Sequence, residues 1–106
     1  MAMVIARWTT PTISYKPTQA ELNEVEDIAL VLKQGGAPIL EKRKDEAGVD
    51  EDLGFVWLFT QEETAKLQSS KTATLKIDYL TVAQKRYTTG EIRLNVVESA
   101  VDEVMV

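Results

Sequence analysis

The residues around Gly35-Gly36 constrain the fold of this chain more than any other stretch. In EDIALVLKQ (Glu26 to Gln34) the side chains alternate, and Ile28, Leu30 and Leu32 fall on one side. Both glycines can adopt a positive φ, which a two-residue hairpin turn requires. PILEKRK then supplies a returning strand. The stretch therefore predicts an antiparallel β-hairpin over residues 26–44.

Further strand patterns lie on both sides of this hairpin. KTATLKIDYLT (71–81) and RYTTGEIRLNVV (86–97) alternate in the same way and predict a second hairpin over 72–97. TTPTISYKP (9–17) is bounded by prolines, which cannot donate to a ladder, so an edge strand is expected there. Residues 1–8 are expected to be an N-terminal arm or a first edge strand.

The aromatic segment LGFVWLFT (53–60) predicts a central strand. Phe55, Trp57 and Phe59 share one face with Leu53, and the opposite face is also apolar. A strand that is apolar on both faces is expected to be buried on both sides.

A capping signal follows at once. Thr60 with Glu63 three residues later matches a capping box, in which each side chain accepts from the other residue's backbone amide. The sequence therefore predicts a short helix near residues 61–67, ended by the serines of QSSK. Glu62 and Glu63 could instead be a general acid and base, but their spacing puts them on different sides of a helix.

The last residues change period. In VVESAVDEVMV the residues Val97, Ala100, Val101 and Val104 fall at helical spacing, opposite acidic residues. The pattern predicts a short amphipathic C-terminal helix, although valine is a poor helix former. Val101 and Val104 are candidate contacts to a partner.

The sum of these elements indicates an all-β fold. About six or seven short strands, separated by turn signals, are typical of a small antiparallel β-sandwich. We therefore predict a single sandwich domain over residues 1–106, immunoglobulin-like but without a disulfide, since the chain has no cysteine.

Composition excludes several classes of chemistry. The chain has no histidine and no cysteine. Thiolate zinc sites, cysteine nucleophiles and serine–histidine triads are therefore impossible, whereas lysine, carboxylate and tyrosine chemistry remain open. We expect no enzyme, no cofactor and no metal. An acidic loop over residues 45–52 could bind calcium, but its spacing does not fit an EF-hand, and a solvated loop explains it.

Charge and hydropathy limit the partners. The net charge of −5 disfavours nucleic acid, which needs a basic surface. No apolar run approaches the ~20 residues of a membrane span. Residues 1–7 hold too few apolar residues for a secretory signal peptide, so synthesis without a cleaved signal is expected.

Two aromatic positions have alternative explanations. Trp57 with its neighbours could form a sugar-stacking platform, but a strand that is apolar on both faces favours a place in the core. Trp8 lies beside Arg7 and could either be buried in its own domain or contact a neighbouring subunit, which makes it a third candidate interaction residue.

The pair Gly35-Gly36 could also be considered as a phosphate-binding loop. It lacks the lysine and the strand–loop–helix context of such a loop, so the hairpin turn is favoured.

The order of these features resembles a group of small phage and prophage proteins encoded among tail genes of Gram-positive bacteria. It is similar to the small β-sandwich at the N-terminus of lactococcal phage baseplate upper proteins. The match runs from Glu26 to Val106, and its most specific parts are Lys33-Gln34-Gly35-Gly36 and Thr60-Gln61-Glu62-Glu63-Thr64. Val82-Ala83-Gln84-Lys85 departs from the family's Asp-Gly turn.

The resemblance implies a structural or interaction module of a tail or baseplate, acting by docking, and it implies no active site. The expected partners are other phage structural proteins or further copies of the same chain. The expected location is the virion or the bacterial host cytoplasm. The alternative function is a carbohydrate-binding or adhesion β-sandwich.

Overall fold

The computed structural model describes residues 3–106, whose strands form two sheets around one core. The strands are β1 (Met3–Ala6), β2 (Thr12–Tyr15), β3 (Val25–Gln34), β4 (Ala37–Arg43), β5 (Gly48–Asp50), β6 (Gly54–Leu58), β7 (Thr72–Thr81), β8 (Arg86–Thr88) and β9 (Ile92–Val97). A single α-helical turn, α1 (Gln61–Thr64), and 3₁₀ turns at Leu22–Glu24 and Lys44–Glu46 complete the described part of the chain.

The strand order is that of an immunoglobulin-like sandwich. Sheet A has the order β1-β9-β7-β3-β4, with β8 also paired to β7, and sheet B has the order β2-β6-β5. The second, fifth and sixth strands thus share one sheet, while the third, seventh and ninth share the other, as in immunoglobulin domains. All pairs are antiparallel except β1 with β9. The predicted all-β sandwich is confirmed, with nine described strands where six or seven were expected.

The predicted hairpin at the double glycine is confirmed. Gly35 has φ 60° and Gly36 has φ 80°, the positive values that this turn needs. The preceding Gln34 is buried, and its amide accepts from the backbone of Gln68 at 2.7 Å and donates back to it at 2.9 Å. The Gln-Gly-Gly segment therefore closes a hairpin and also fixes the loop before β7.

The second hairpin, β7 with β8 and β9, is also present. In its turn Gln84 has a φ of 65°, a positive value that a glycine more commonly adopts. The Thr81 amide donates to the Lys85 carbonyl at 2.9 Å and closes the turn. Around Gly90 the ladder is interrupted, and there the Thr89 hydroxyl accepts from the Ile77 amide at 3.0 Å.

The aromatic strand fills the space between the sheets. Trp57 is 0% exposed, and Phe55 and Phe59 are also buried. The indole Nε1 of Trp57 donates to the Arg43 carbonyl oxygen at 3.0 Å, so its one polar group is satisfied. The rest of the core comes from the inward faces of both sheets and from the segment after α1: Ile5, Ile13, Val25, Ile28, Leu30, Leu32, Leu40, Leu67, Ala73, Leu75, Ile77, Tyr79, Leu94 and Val96.

The expectation that β6 is buried on both faces is wrong. It is the central strand of sheet B, but on its outer face Leu58 is 69% exposed and Val56 is only half-buried. A two-layer sandwich covers only the inner face of each sheet, and no third layer lies over sheet B in the described residues.

The predicted C-terminal helix is also wrong. Residues 98–106 contain no helix and follow β9 as a tail without regular secondary structure. Valine gains little from a helix, and the backbone of Met105 is instead bonded by a distant side chain, described below. At the other end of the chain, residues 3–6 of the expected arm form the edge strand β1; residues 1 and 2 lie outside the described part.

Candidate interaction surfaces

The segment Thr60–Thr64 holds three distant parts of the chain together. Its capping box is formed as predicted: the Thr60 hydroxyl accepts from the Glu63 amide at 3.2 Å, and the Glu63 carboxylate accepts from the Thr60 amide at 2.9 Å. These bonds satisfy backbone donors at the start of α1. The side chains of Gln61 and Thr64 take no part in the capping box and instead contact neighbouring segments of the chain.

Glu63 joins α1 to sheet A. The Lys42 Nζ lies 2.6 Å from its carboxylate, and the Lys42 side chain is almost buried. The same ammonium lies 5.4 Å from the centre of the Phe59 ring. Burial acts to raise the pKa of Glu63, but the Lys42 ammonium and the Thr60 amide outweigh it and hold the pKa below its ordinary value. Lys42 thus points inward, although it belongs to the basic run Lys42-Arg43-Lys44.

Thr64 holds the N-terminal segment. Its hydroxyl is fully buried, donates to the Thr9 carbonyl oxygen at 2.8 Å and accepts from the Thr9 amide at 3.0 Å. A second contact is made by Arg7, whose guanidinium donates to the Ala65 carbonyl at 2.8 Å. The chain after β1 is therefore fixed against α1 by side chains on both sides.

Gln61 holds the tail. Its amide donates to the Met105 carbonyl at 2.9 Å and accepts from the Met105 amide at 2.7 Å. Near the start of the tail, Glu98 accepts from Arg7 at 2.8 Å. A hydrogen bond from Ser69 and the Arg7 charge lower the pKa of Glu98. We call residues 7–9, 61–65, 98 and 105 the terminal corner, since both terminal segments meet α1 there.

Trp8 lies in the terminal corner in a strained conformation. Its φ is 63°, a left-handed value that is unusual for a large side chain. The ring is half-buried, and the Arg7 guanidinium carbon lies 6.0 Å from its centre. Within residues 3–106, neither the indole Nε1 nor the Arg7 Nε has a hydrogen-bond partner, although both atoms are buried. Trp8 is therefore neither fully inside the core nor free in solvent.

The two candidate valines of the tail are partly exposed. Val101 is 42% and Val104 is 39% exposed, and both lie in the tail, which has no regular secondary structure. More than half of the large apolar side chains that are exposed belong to β1 or to the tail with the last residue of β9. They are Met3, Val4, Val97, Val101, Val104, Met105 and Val106.

A second surface is the outer face of sheet A. It forms a shallow concavity of about 420 Å³ across β3, β4, β7 and β8. Its charges are largely paired: Arg43 contacts Asp27, and Arg86 lies 2.6 Å from Asp78. Small apolar side chains such as Val31 lie between these pairs. A face of mutually paired charges is typical of a solvated sheet surface.

The carboxylates with shifted pKa values are poor proton donors at neutral pH. Hydrogen bonds from Thr88 and Arg86 lower the pKa of Asp78, and the amides of Leu53 and Asp52 lower that of Asp50. Burial and the neighbouring Tyr79 raise the pKa of Tyr15, which keeps the phenol neutral. Among residues 3–106, no three acidic side chains are grouped closely enough to hold a metal ion.

Comparison with solved structures finds chains of similar fold. The chain is similar to a solved structure described as Drosophila OTK, extracellular domains 3-5, with 11% identity and a TM-score of 0.44. The likeness covers 90% of this chain and 32% of that one, so this chain spans about a third of the other's length. No protein-family model and no curated protein matches the sequence. None of the helices in the described residues has the length and apolarity needed to span a bilayer.

Sequence analysis identified Trp8, Val101 and Val104 but missed the residues that position them. Gln61 and Thr64 lie in the capping segment, where only Thr60 and Glu63 had an assigned role. The capping box was predicted correctly from local sequence. The partners of Gln61 and Thr64, which are Met105 and Thr9, are distant in sequence. Only the folded chain brings them together.

Proposed function

We propose that this protein is a non-catalytic structural or interaction module of a phage or prophage tail or baseplate. The sandwich acts as a rigid carrier, and the two terminal segments contact other assembly proteins or further copies of the chain. The protein turns over no substrate and carries no cofactor. Its place is the virion or, before assembly, the cytoplasm of the bacterial host.

The observation that carries this proposal is the grouping of exposed apolar side chains on the two terminal segments. Aromatic residues that could have formed a ligand platform are in the core, whereas Met3, Val4 and Met105 lie on the surface. Exposed apolar side chains that are concentrated on particular segments are candidates for contact with a partner, and here these segments are the two terminal ones. Trp8 adds a large side chain whose buried indole N–H needs an acceptor.

The phage assignment is supported by the resemblance of Lys33–Gly36 and Thr60–Thr64 to the tail-region family. In this chain both segments have a structural role: the first closes a hairpin, and the second is hydrogen-bonded to the two terminal segments. A motif that positions docking segments fits a module whose role is assembly.

The carbohydrate-binding alternative has less support. A sugar platform needs aromatic faces open to solvent, and the rings of Phe55, Trp57 and Phe59 are at most 2% exposed. The rings of Trp8, Tyr15 and Tyr87 are half-buried, so none of them presents a fully open face.

The experiment that tests the proposal is incorporation into particles. Phage particles from a host that encodes this chain are purified on a density gradient, and the protein is quantified per particle by mass spectrometry. The proposal predicts a fixed, low-integer copy number and defective tails when the gene is deleted. Complementation with Val101→Asp plus Val104→Asp should lower incorporation at least tenfold.

The matched control is Leu53→Asp plus Val82→Asp, which changes two exposed apolar residues away from the tail. It should incorporate like the wild type. Absence of the wild-type protein from particles, together with normal tails in the deletion strain, would overturn the proposal. A response of Trp8 resonances to soluble glycans would favour the alternative.

A further inference from the structure

Within residues 3–106, no strand pairs with the outer edge of β1 in sheet A, and the direction of each backbone group along that edge follows from the register. The Arg7 amide donates to the Val97 carbonyl of β9 at 2.9 Å. Backbone groups alternate in direction along a strand, so Met3 and Ile5 also face β9, while Val4 and Ala6 face away. The Thr9 hydroxyl donates to the Ala6 carbonyl at 2.6 Å, which agrees with this outward direction.

The open edge therefore offers a specific set of groups. The N–H and C=O of Val4 both point outward, as does the N–H of Ala6, whereas the Ala6 carbonyl is already occupied. The side chains along this edge are uncharged, and Val4 is 63% exposed. An uncharged edge strand with free backbone groups is a template for another strand.

Other sheet edges carry features that hinder strand addition. At the opposite edge of sheet A, β4 contains Pro38, and the outward groups of Arg43 are bonded by the Glu46 carboxylate and the Trp57 indole. In sheet B, β2 lies between Pro11 and Pro17. The remaining edge strands, β5 and β8, have three residues each and carry Asp50 and Arg86.

We infer that β1 is a self-association site, at which the β1 strands of two copies pair antiparallel about a two-fold axis through Val4. The occupant is a second copy because the edge is self-complementary: the outward N–H and C=O of Val4 can exchange both hydrogen bonds with the same groups of another Val4, and no charge or proline in β1 opposes this. The other edges of that copy are hindered, so its own β1 is the strand that fits. The inference deepens the proposed function, since it assigns one terminal docking segment to contact between copies.

The contact should be weak on its own. Each copy contributes a four-residue strand, which buries much less surface than a standard stable interface. A dissociation constant on the order of 0.1 mM is expected for the isolated protein. In a symmetric assembly, further contacts would raise the effective concentration and reinforce the pairing.

Disulfide trapping tests the geometry directly, since the chain contains no cysteine. In the inferred pair, the two Val4 Cα atoms would be about 5.5 Å apart, within the range that a disulfide spans. The full-chain variant Val4→Cys should form a covalent dimer under mild oxidation at least tenfold faster than Val49→Cys. Val49 is the matched control: a valine of similar exposure, 66%, on edge strand β5.

A charge exchange tests the same axis by a different measurement. Sedimentation equilibrium should show about tenfold weaker self-association for Val4→Lys, because two lysines would face each other across the axis. Val49→Lys should behave like the wild type. Mixing Val4→Lys with Val4→Glu should restore association, which a merely misfolded variant could not do.

Three results would overturn the inference: a wild-type protein that stays monomeric at millimolar concentration, equal trapping rates at positions 4 and 49, or no recovery on mixing the two charged variants. A monomeric protein that is nevertheless incorporated into particles would leave the proposed function intact. If the Val4 and Ala6 amides are then protected by a strand of another tail protein, the occupant of the edge is that protein and the self-association site is rejected.

Discussion

The side-chain amide of Gln61 bonds both backbone groups of Met105, with distances of 2.9 Å to the carbonyl oxygen and 2.7 Å to the amide nitrogen. These are the two hydrogen bonds that a neighbouring strand would make to an extended residue. A single side chain thus substitutes for a strand and keeps the tail beside α1.

Removal of the Gln61 amide should release the tail without unfolding the sandwich. In Gln61→Ala the Met105 amide should exchange with solvent at least tenfold faster, as measured by NMR hydrogen exchange. The free energy of unfolding should fall by about 1 kcal/mol or less, because the tail is largely exposed. Glu62→Ala, in the same helical turn, should leave the Met105 exchange rate unchanged; equal acceleration in both variants would reject the clamp.

The largest loss of stability should follow truncation of Trp57. This side chain is 0% exposed, so Trp57→Ala should cost about 3–5 kcal/mol in chemical denaturation. Trp57→Phe keeps most of the apolar volume but leaves the Arg43 carbonyl without its donor, and an intermediate cost is expected. Leu58→Ala, next in sequence and 69% exposed, should change stability by no more than about 0.5 kcal/mol.

Elements that depend on residues close together in the sequence could be predicted, whereas contacts between distant segments could not. The β3–β4 hairpin, the interior position of Trp57 and the capping box of Thr60 and Glu63 follow from local patterns, and the structure confirms them. The tail was mistaken for a helix because its valines fall at helical spacing, while the competing bonds come from Gln61.

Two further differences have the same origin. Leu58 was expected to be buried, since an apolar strand face does not reveal whether another layer covers it. Lys42 belongs to a run of basic residues, yet it turns inward to meet Glu63 from a segment that is distant in sequence. The edge groups of β1 likewise became visible only from the pairing with β9.

Stability should depend on pH through Glu63. Its pKa is below the ordinary value in the folded state, so its contribution is present above pH 4.5, the ordinary value, and is lost as the pH falls through the folded one. Glu63→Gln should lower the free energy of unfolding at neutral pH by about 1–3 kcal/mol. It should also flatten the decline of that free energy with acidification. Glu62→Gln is the control, and an equally flat profile there would count against the Lys42 contact.

Gly54 should tolerate no side chain. Its φ is 85°, and a Cβ at this position would collide with the backbone of Tyr15 on the neighbouring strand. Gly54→Ala should therefore destabilise the protein by about 2 kcal/mol or more, measured by thermal denaturation. Gly90→Ala, where the added methyl meets open space, should be nearly neutral; a similar loss at both sites would refute the argument from close approach.

We propose that both terminal segments are the surfaces through which this sandwich docks in a phage tail. The most direct test is to measure hydrogen–deuterium exchange of the backbone amides in two states: the free protein and the protein within purified phage tails. We predict that protection increases at residues 3–8 and 98–106, while the outer face of sheet A, around Val31 and Lys76, exchanges at the same rate in both states. Protection confined to that face, with unchanged exchange in both terminal segments, would contradict the claim.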